Sequence, residues 1–310
     1  MGDNFSSKIL LFGEYSIIHN SDALAIPYEL FEGKLNFSTE GDHPFKVKES
    51  NKELKNFLLY LYDIKEQIDS YIDLTSFEFD IEQGLYFKSS IPQGHGIGSS
   101  GALCAAIYDC YGKGQYRIDK IFSNQDIHQL KTIFGLLESY FHEKSSGIDP
   151  LISYLSRPLL IIGGKDFESP SPDLKSKGKG VIFLCDTGRS RRTGPLVNLF
   201  LEKCQNEKFL ADFNDQYVPL NNICIQNFLK RESSELITNF KKLSEYQYKC
   251  FLPMIPKLIR KVWRQGIESD DYYLKLCGGG GGGFLLGMTT DFEKCKKYFT
   301  NFPIREVCQF

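Results

Sequence analysis

Ten of the chain's 27 glycines fall in two short stretches, four between positions 94 and 101 and six in an unbroken run at 278–283. Elsewhere glycine is at an ordinary level, so the excess belongs to two loops rather than to the chain as a whole. A glycine run can be a flexible linker, but Leu276 and Phe284-Leu285-Leu286 stand directly against the second one. Strand-like flanks point to a tight turn. The first stretch, Gly94-His95-Gly96-Ile97-Gly98-Ser99-Ser100-Gly101, follows Pro92 and precedes the small and apolar run 102–110. A strand, a glycine-rich turn and a helix in that order bring free backbone N–H groups and the positive end of a helix dipole together, which is the physics of a phosphate cradle. Residues 96–101 also spell G-x-G-x-x-G, so a dinucleotide fold competes. Against it, the loop lies deep in the chain, follows the polar Ser89-Ser90 and has no well-placed acidic strand end after it. No Gly-Lys-Ser/Thr closes it, so it is no Walker A loop. A glycine-rich turn without a ligand is the plain alternative.

The rest of the composition bounds the function. At 310 residues, 42% hydrophobic and 25% charged, the chain suits one large domain or two lobes with a real core. Its 37 basic and 39 acidic side chains leave a formal charge of −2, without the basic excess that nucleic-acid wrapping by counterion release requires. Nine cysteines, an odd number with no C-x-x-C spacing, argue against a zinc site or a disulfide framework. Reduced thiols and a cytoplasmic location are the expectation. The longest apolar runs, 9–12 and 159–162, are strand-sized and far below the ~20 residues that span a bilayer, so no membrane partner is expected.

Residues 8–12, 23–26 and 33–38 read as strands, and 51–68 carries Leu54, Phe57, Leu58, Leu61 and Ile64 at helical spacing. Residues 77–81 and 85–90 flank Glu82-Gln83-Gly84 and read as a hairpin; 102–110 reads as a buried helix and 127–143 as another, broken at Ser145-Ser146-Gly147. A strand at 159–162 closes the first half, and 163–180, rich in Ser, Lys, Pro and Asp, is the best lobe boundary. Beyond it, 181–185, 273–276, 284–287 and 304–307 read as strands, and 195–212, 221–251 and 292–298 as helical. Strands and helices interleave throughout, so the class is mixed α and β.

Three separated motifs together resemble the GHMP kinases, the family of galacto-, homoserine, mevalonate and phosphomevalonate kinases. Lys8-Ile9-Leu10-Leu11-Phe12-Gly13-Glu14-Tyr15-Ser16-Ile17-Ile18-His19, then Ala23-Leu24-Ala25, is similar to the first motif in its mevalonate kinase form. Pro92 to Ala102 is similar to the second, and Lys275-Leu276-Cys277-Gly278 with Gly280 to Gly283 to the third. Glu138 and Asp149, eleven positions apart, match the interval between the Mg²⁺-binding glutamate and the catalytic aspartate of mevalonate kinases. Asp186-Thr187-Gly188 and Arg191-Arg192-Thr193 resemble the family's substrate-side strand and loop. Order and spacing agree over nearly the whole chain. Departures are Tyr15 where mevalonate kinases usually carry histidine, Ser6-Ser7 for Pro-Gly, and Gly101 and Gly279 for alanines.

The resemblance implies an α/β (α+β) fold of two lobes with the active site in the cleft between them. The N-terminal, ribosomal-protein-S5-like lobe would take residues 1–165 with the phosphate loop at 92–102; the C-terminal, ferredoxin-like lobe would take 166–310 with the glycine turn at 278–283. It implies ATP and Mg²⁺ as cofactors and phosphorylation of an alcohol, with mevalonate the expected acceptor. Asp149 would accept the hydroxyl proton, and Lys8 would stabilise the alkoxide and hold Asp149 ionised. Ser100 and Glu138 would hold Mg²⁺, while Gly94, Gly96, Gly98, Ser99, Ser100 and Gly101 would contact the nucleotide phosphates. Glu14, Arg191 and Thr193 would bind the acceptor, and a homodimer is compatible with the family. Read without the resemblance, Asp149 is equally a helix N-cap, Glu138 a solvated helical glutamate, and the cluster Arg189-Ser190-Arg191-Arg192 a basic turn. His142, four residues beyond Glu138, either orients that carboxylate or packs as a plain histidine. Two alternatives stand beside mevalonate. One is phosphomevalonate or another GHMP acceptor, favoured by Tyr15 and the arginines. The other is a nucleotide-binding protein without kinase activity.

Overall fold

The computed structural model describes residues 2–114, 116, 122–142, 144–172, 178–190 and 194–310. They form two compact units. The first is built from Met1–Lys8, Ile26–Pro92 and Gly98–Arg157, the second from Ile9–Ala25, Gln93–Ile97 and Pro158–Phe310. Strands β1 (Phe5–Phe12) and β2 (Ala23–Phe37) and the glycine loop 94–101 each pass from one unit into the other along the chain. Among the described residues, no helix is long and apolar enough to cross a membrane, and all nine cysteines are free.

In the first unit the far half of β2 pairs antiparallel with β3 (Leu85–Ser89), Gly33 opposite Ser89 and Phe37 opposite Leu85. The helix Pro44–Asp63 buries Leu54, Phe57, Leu58 and Leu61, the stripe read from the sequence. It starts seven residues earlier than that stripe suggests, because Pro44 suits a first helical turn, where its missing N–H has no bond to lose. The expected hairpin at 77–90 is not there. Residues Leu74–Glu82 are a helix, and only Leu85–Ser89 is a strand. Phe77, Phe79 and Ile81 alternate like a strand, but the buried set is Leu74, Phe77 and Ile81, spaced for a helix, while Phe79 is 61% exposed. Asp73 starts that helix by accepting hydrogen bonds from Ser76 N at 3.1 Å and Ser76 Oγ at 2.7 Å.

The helix Ser99–Tyr111 is apolar nearly all round and buries every residue from Gly101 to Tyr108. It packs on the helix Ile148–Leu155, and both lie against Asn124–Glu138. The rings of Phe5, Tyr108, Phe134 and Tyr154 fill the space among them. This three-helix packing sets the positions of Ser100, Glu138 and Asp149.

In the second unit, the start of β2 pairs with β4 (Leu159–Ile162), which pairs in turn with β5 (Asp166–Glu168). A four-stranded antiparallel sheet has the order β7 (Tyr273–Leu276), β8 (Phe284–Thr289), β6 (Val181–Asp186), β9 (Ile304–Gln309). Every residue of β7 and β8 is buried, as expected of strands enclosed on both faces. The helices Val218–Lys230 and Ser233–Cys250 pack on each other, and the second of them lies on β7. Phe200, Phe213, Tyr217 and Phe251 make an aromatic core there.

Candidate active site

Gly98 is the N-cap of the helix Ser99–Tyr111, with φ of 81°. A Cβ added there would lie 2.9 Å from Lys8 Cγ, so the left-handed backbone and the close approach of Lys8 both call for glycine. Lys8, on β1, is 5% exposed, and its Nζ lies 2.8 Å from Asp149 Oδ1. The Asp149 side chain remains 36% exposed. Asp149 is the second residue of the helix Ile148–Leu155, whose N-cap is Gly147, at φ 73°. The capping alternative therefore falls away, because the cap position is Gly147 and Asp149 lies inside the first turn. A Cβ at Gly147 would lie 2.1 Å from Lys131 O, so the turn that delivers Asp149 also depends on glycine.

Glu138 is the last residue of the helix Asn124–Glu138 and is 3% exposed. It is no solvated helical glutamate. Its Oε1 accepts a hydrogen bond from Ser100 Oγ at 3.0 Å and its Oε2 one from Ser145 Oγ at 2.5 Å. Burial first, and then the negative charge of Asp149, push its pKa up to about 7, against the hydrogen bonds from Ser145 and Ser100 and the charge of Lys8. Lys8, Ser100, Glu138, Ser145 and Asp149 thus gather in the first unit from separate stretches of chain. Four of the five are expected from the sequence. Ser145 is not, since in one dimension it marks only the end of a helical stretch. His142 lies beyond the end of the helix and is exposed, so the i, i+4 relation to Glu138 does not form.

A buried carboxylate and a hydroxyl that converge on one point, with the ionised carboxylate penalised by burial, suit a hard divalent cation. Mg²⁺ is usually held by one or two carboxylates together with substrate phosphates and water rather than by an all-protein cage. No group of three or more His, Cys, Asp or Glu side chains is placed to hold a metal among the described residues. Glu138 and Ser100 fit the sparser kind of site.

The second unit holds Glu14, Gly94, Gly96 and the glycine run. The run Gly278–Gly283 is fastened on several sides: Gly281 N donates to Met254 O at 2.6 Å, Gly283 N to Arg189 O at 2.6 Å, and Thr187 N and Oγ1 to Gly283 O at 3.0 and 2.7 Å. Phe284 N donates to His95 O at 3.3 Å, so this run packs against the segment that carries Gly94 and Gly96. It is a turn, not a linker. His95 Nε2 lies 3.7 Å from Asp186 Oδ1. Tyr15 donates its hydroxyl to Gly279 O at 2.6 Å and sits between the rings of Phe200 and Phe251. Glu14, expected at the acceptor site, is ion-paired with Lys275, both side chains wholly buried. Burial raises the Glu14 pKa, and Lys275 opposes the shift. In the glycine loop 94–101, Gly94 is exposed, Gly96, Ser99 and Ser100 are half-buried, and Gly98 and Gly101 are buried. A Cβ at Gly101 would lie 2.8 Å from the Asp149 carbonyl carbon, so this glycine serves close packing against the turn that carries Asp149. Arg191 and Thr193 lie outside the described residues.

No family model and no curated protein matches the chain. Solved structures do match it over its length. The Methanococcus jannaschii mevalonate kinase superposes with a TM-score of 0.64 at 18% identity, covering 100% of this chain and 98% of that one. The L. major mevalonate kinase, solved in complex with R-mevalonate, gives 0.63 at 15%, covering 100% and 96%. The Streptococcus pneumoniae phosphomevalonate kinase, solved with phosphomevalonate and AMPPNP, gives 0.62 at 12%, covering 99% and 100%. The fold of the chain is the one these mevalonate and phosphomevalonate kinases share, the GHMP kinase fold.

Proposed function

We propose that the chain is a GHMP-type small-molecule kinase that transfers the γ-phosphoryl group of ATP to the hydroxyl of mevalonate. The observation that carries this reading is the Lys8–Asp149 pair beside Ser100 and Glu138, at the start of a helix whose N-cap, Gly98, has no side chain to satisfy its first N–H groups. Asp149 is partly open to solvent and acts as the base that takes the proton of the acceptor hydroxyl. The Lys8 ammonium, 2.8 Å away, faces the same point and offsets the negative charge that develops on the attacking oxygen. The N–H groups of Ser99, Ser100 and Gly101, at the positive end of the helix dipole, take the phosphate oxygens. Glu138 and Ser100 are the residues that would hold Mg²⁺, which when bound neutralises charge on the transferring phosphates. Arg191 and Thr193 are assigned the acceptor's carboxylate and hydroxyl. Phosphoryl transfer demands positioning and charge stabilisation more than covalent help from the protein, and this set supplies both.

Mevalonate is favoured among acceptors by the Glu138–Asp149 interval and by the form of the first motif. Phosphomevalonate is the second reading: Tyr15 and the arginines around 189–192 favour it, and a phosphomevalonate kinase is among the matching structures. ADP release measured in parallel with mevalonate, phosphomevalonate, galactose and homoserine decides. Turnover of mevalonate well above the others is expected. Turnover of another acceptor alone would reject the substrate and keep the kinase; none with any acceptor would favour a nucleotide-binding protein without activity.

A further inference from the structure

Ser145 has no part in the reading above, yet its hydroxyl is committed on both sides. It donates to Glu138 Oε2 at 2.5 Å and accepts from Gly147 N at 3.1 Å. Its own backbone N–H donates to Ser139 Oγ at 3.2 Å, and Ser139 Oγ is fixed by a 2.7 Å bond to Gly135 O in the helix that ends at Glu138. A serine hydroxyl has one proton. With Gly147 N–H directed at the oxygen, that proton is left for Glu138.

We propose that Ser145 is the positioning residue for the cation site: it occupies Glu138 Oε2, leaves Oε1 facing Ser100, and ties the glutamate to the turn that carries Asp149. This rests on the reading of Glu138 as the cation's carboxylate. A glutamate at a helix C-terminus has three side-chain torsions to fix, and Ser100 alone fixes only one oxygen. When Ser100 turns a lone pair toward a cation, its proton is no longer reserved for Oε1, whereas the bond from Ser145 stays in place. Hydrogen bonds of this kind around metal-binding carboxylates commonly change metal affinity by about 10- to 100-fold when removed. Through Gly147 the same hydroxyl links Glu138 to Ile148–Asp149, so the cation's ligand and the base share one anchor.

The test is Mn²⁺ binding to the full chain with ADP present and no acceptor, so that nothing turns over, with free Mn²⁺ followed by its electron paramagnetic resonance signal. Ser145→Ala should weaken Mn²⁺ binding about tenfold, Ser145→Thr should keep it near wild type, and in a Glu138→Gln background Ser145→Ala should add nothing further. Wild-type affinity in Ser145→Ala overturns the proposal, as does a Ser145→Thr protein as weak as the alanine variant or an equal loss in the Glu138→Gln background. If Ser145→Ala does not fold, Ser145→Thr against Ser145→Val, alike in shape and different in the hydroxyl, carries the comparison. Wild-type affinity in Glu138→Gln instead rejects Glu138 as the cation's carboxylate, an outcome distinct from failure of Ser145 alone.

Discussion

Lys8 and Lys275 open the first and third motifs, and each faces a carboxylate, but the two pairs differ in their access to water. Lys275 and Glu14 are both 0% exposed, with Lys275 also donating to Leu276 O at 2.8 Å and lying 5.9 Å from the centre of the Phe12 ring. The Lys8 side chain is 7% exposed, while Asp149 keeps 36%. A closed pair cannot exchange protons with a ligand; it fastens one segment to another. Here it holds the turn after β1 against β7, with Gln247 adding bonds to Leu276 N at 2.7 Å and to the Tyr217 hydroxyl at 2.7 Å. The half-open pair has a shielded cation and a carboxylate that solvent can reach. The same two residue classes at motif positions thus stand in different surroundings, and exposure of the acid separates them.

The largest expected effect is on the open pair. Asp149→Asn should lower kcat by about 10²- to 10⁴-fold, the usual range for a general base, with ADP binding near wild type. Substantial turnover in that variant would mean that the proton goes elsewhere. The closed pair should respond in the opposite way. Lys275→Met leaves a buried carboxylate without its cation and should cost about 3–5 kcal/mol of stability, read from the urea midpoint, while Glu14→Gln combined with Lys275→Met should recover part of it. A Lys275→Met protein that unfolds like wild type would remove the structural role given to this pair.

The sequence carries the open site well and the closed one poorly. Glycines at 94–101 between a strand and an apolar helix are local, and local patterns are legible; so are Lys8, Ser100, Glu138 and Asp149 once a family spacing is matched. Glu14 and Lys275 are 261 positions apart, and nothing in either neighbourhood announces that they meet. The resemblance puts Glu14 near the acceptor, whereas its carboxylate is enclosed with Lys275. The helix at 74–82 where the sequence suggests the first strand of a hairpin has a local cause: Phe77, Phe79 and Ile81 satisfy a period of two, and only the burial of Leu74 with Phe77 and Ile81 selects the helix. Ser145 falls between these cases. Its position is visible in the sequence, but its use depends on a side-chain contact that only the packed loop creates.

The open site should also show itself through pH. Glu138 has its pKa pushed up to about 7 from an unfolded value near 4.5, so between those values the folded state holds a proton that the unfolded state has released. Stability of the metal-free protein should therefore fall as pH rises from about 4.5 to 7, with a slope of at most about 1.4 kcal/mol per pH unit, and level off above. Glu138→Gln should flatten that slope when urea midpoints are compared across the window. A wild-type slope unchanged by the substitution would mean that Glu138 is not the group responsible.

The smallest effect tests how finely Asp149 is placed. Gly101 stands where the family usually has alanine, and in this chain a Cβ there would lie 2.8 Å from the Asp149 carbonyl carbon and 2.9 Å from Pro150 N. Backbone at that distance cannot swing aside as a side-chain tip would, so Gly101→Ala must shift the start of the helix Ile148–Leu155 against its neighbour. Such a shift changes the angle between Asp149 and Lys8 without removing either. Misplacement by about 1 Å can cost about 100-fold in rate, so about a tenfold drop in kcat is expected, with the KM for ATP nearly unchanged because Ser99 and Ser100 stay on their own helix. Unchanged kcat would show that the half-open pair tolerates displacement, and that exposure rather than position decides which of the two lysine–carboxylate pairs can act.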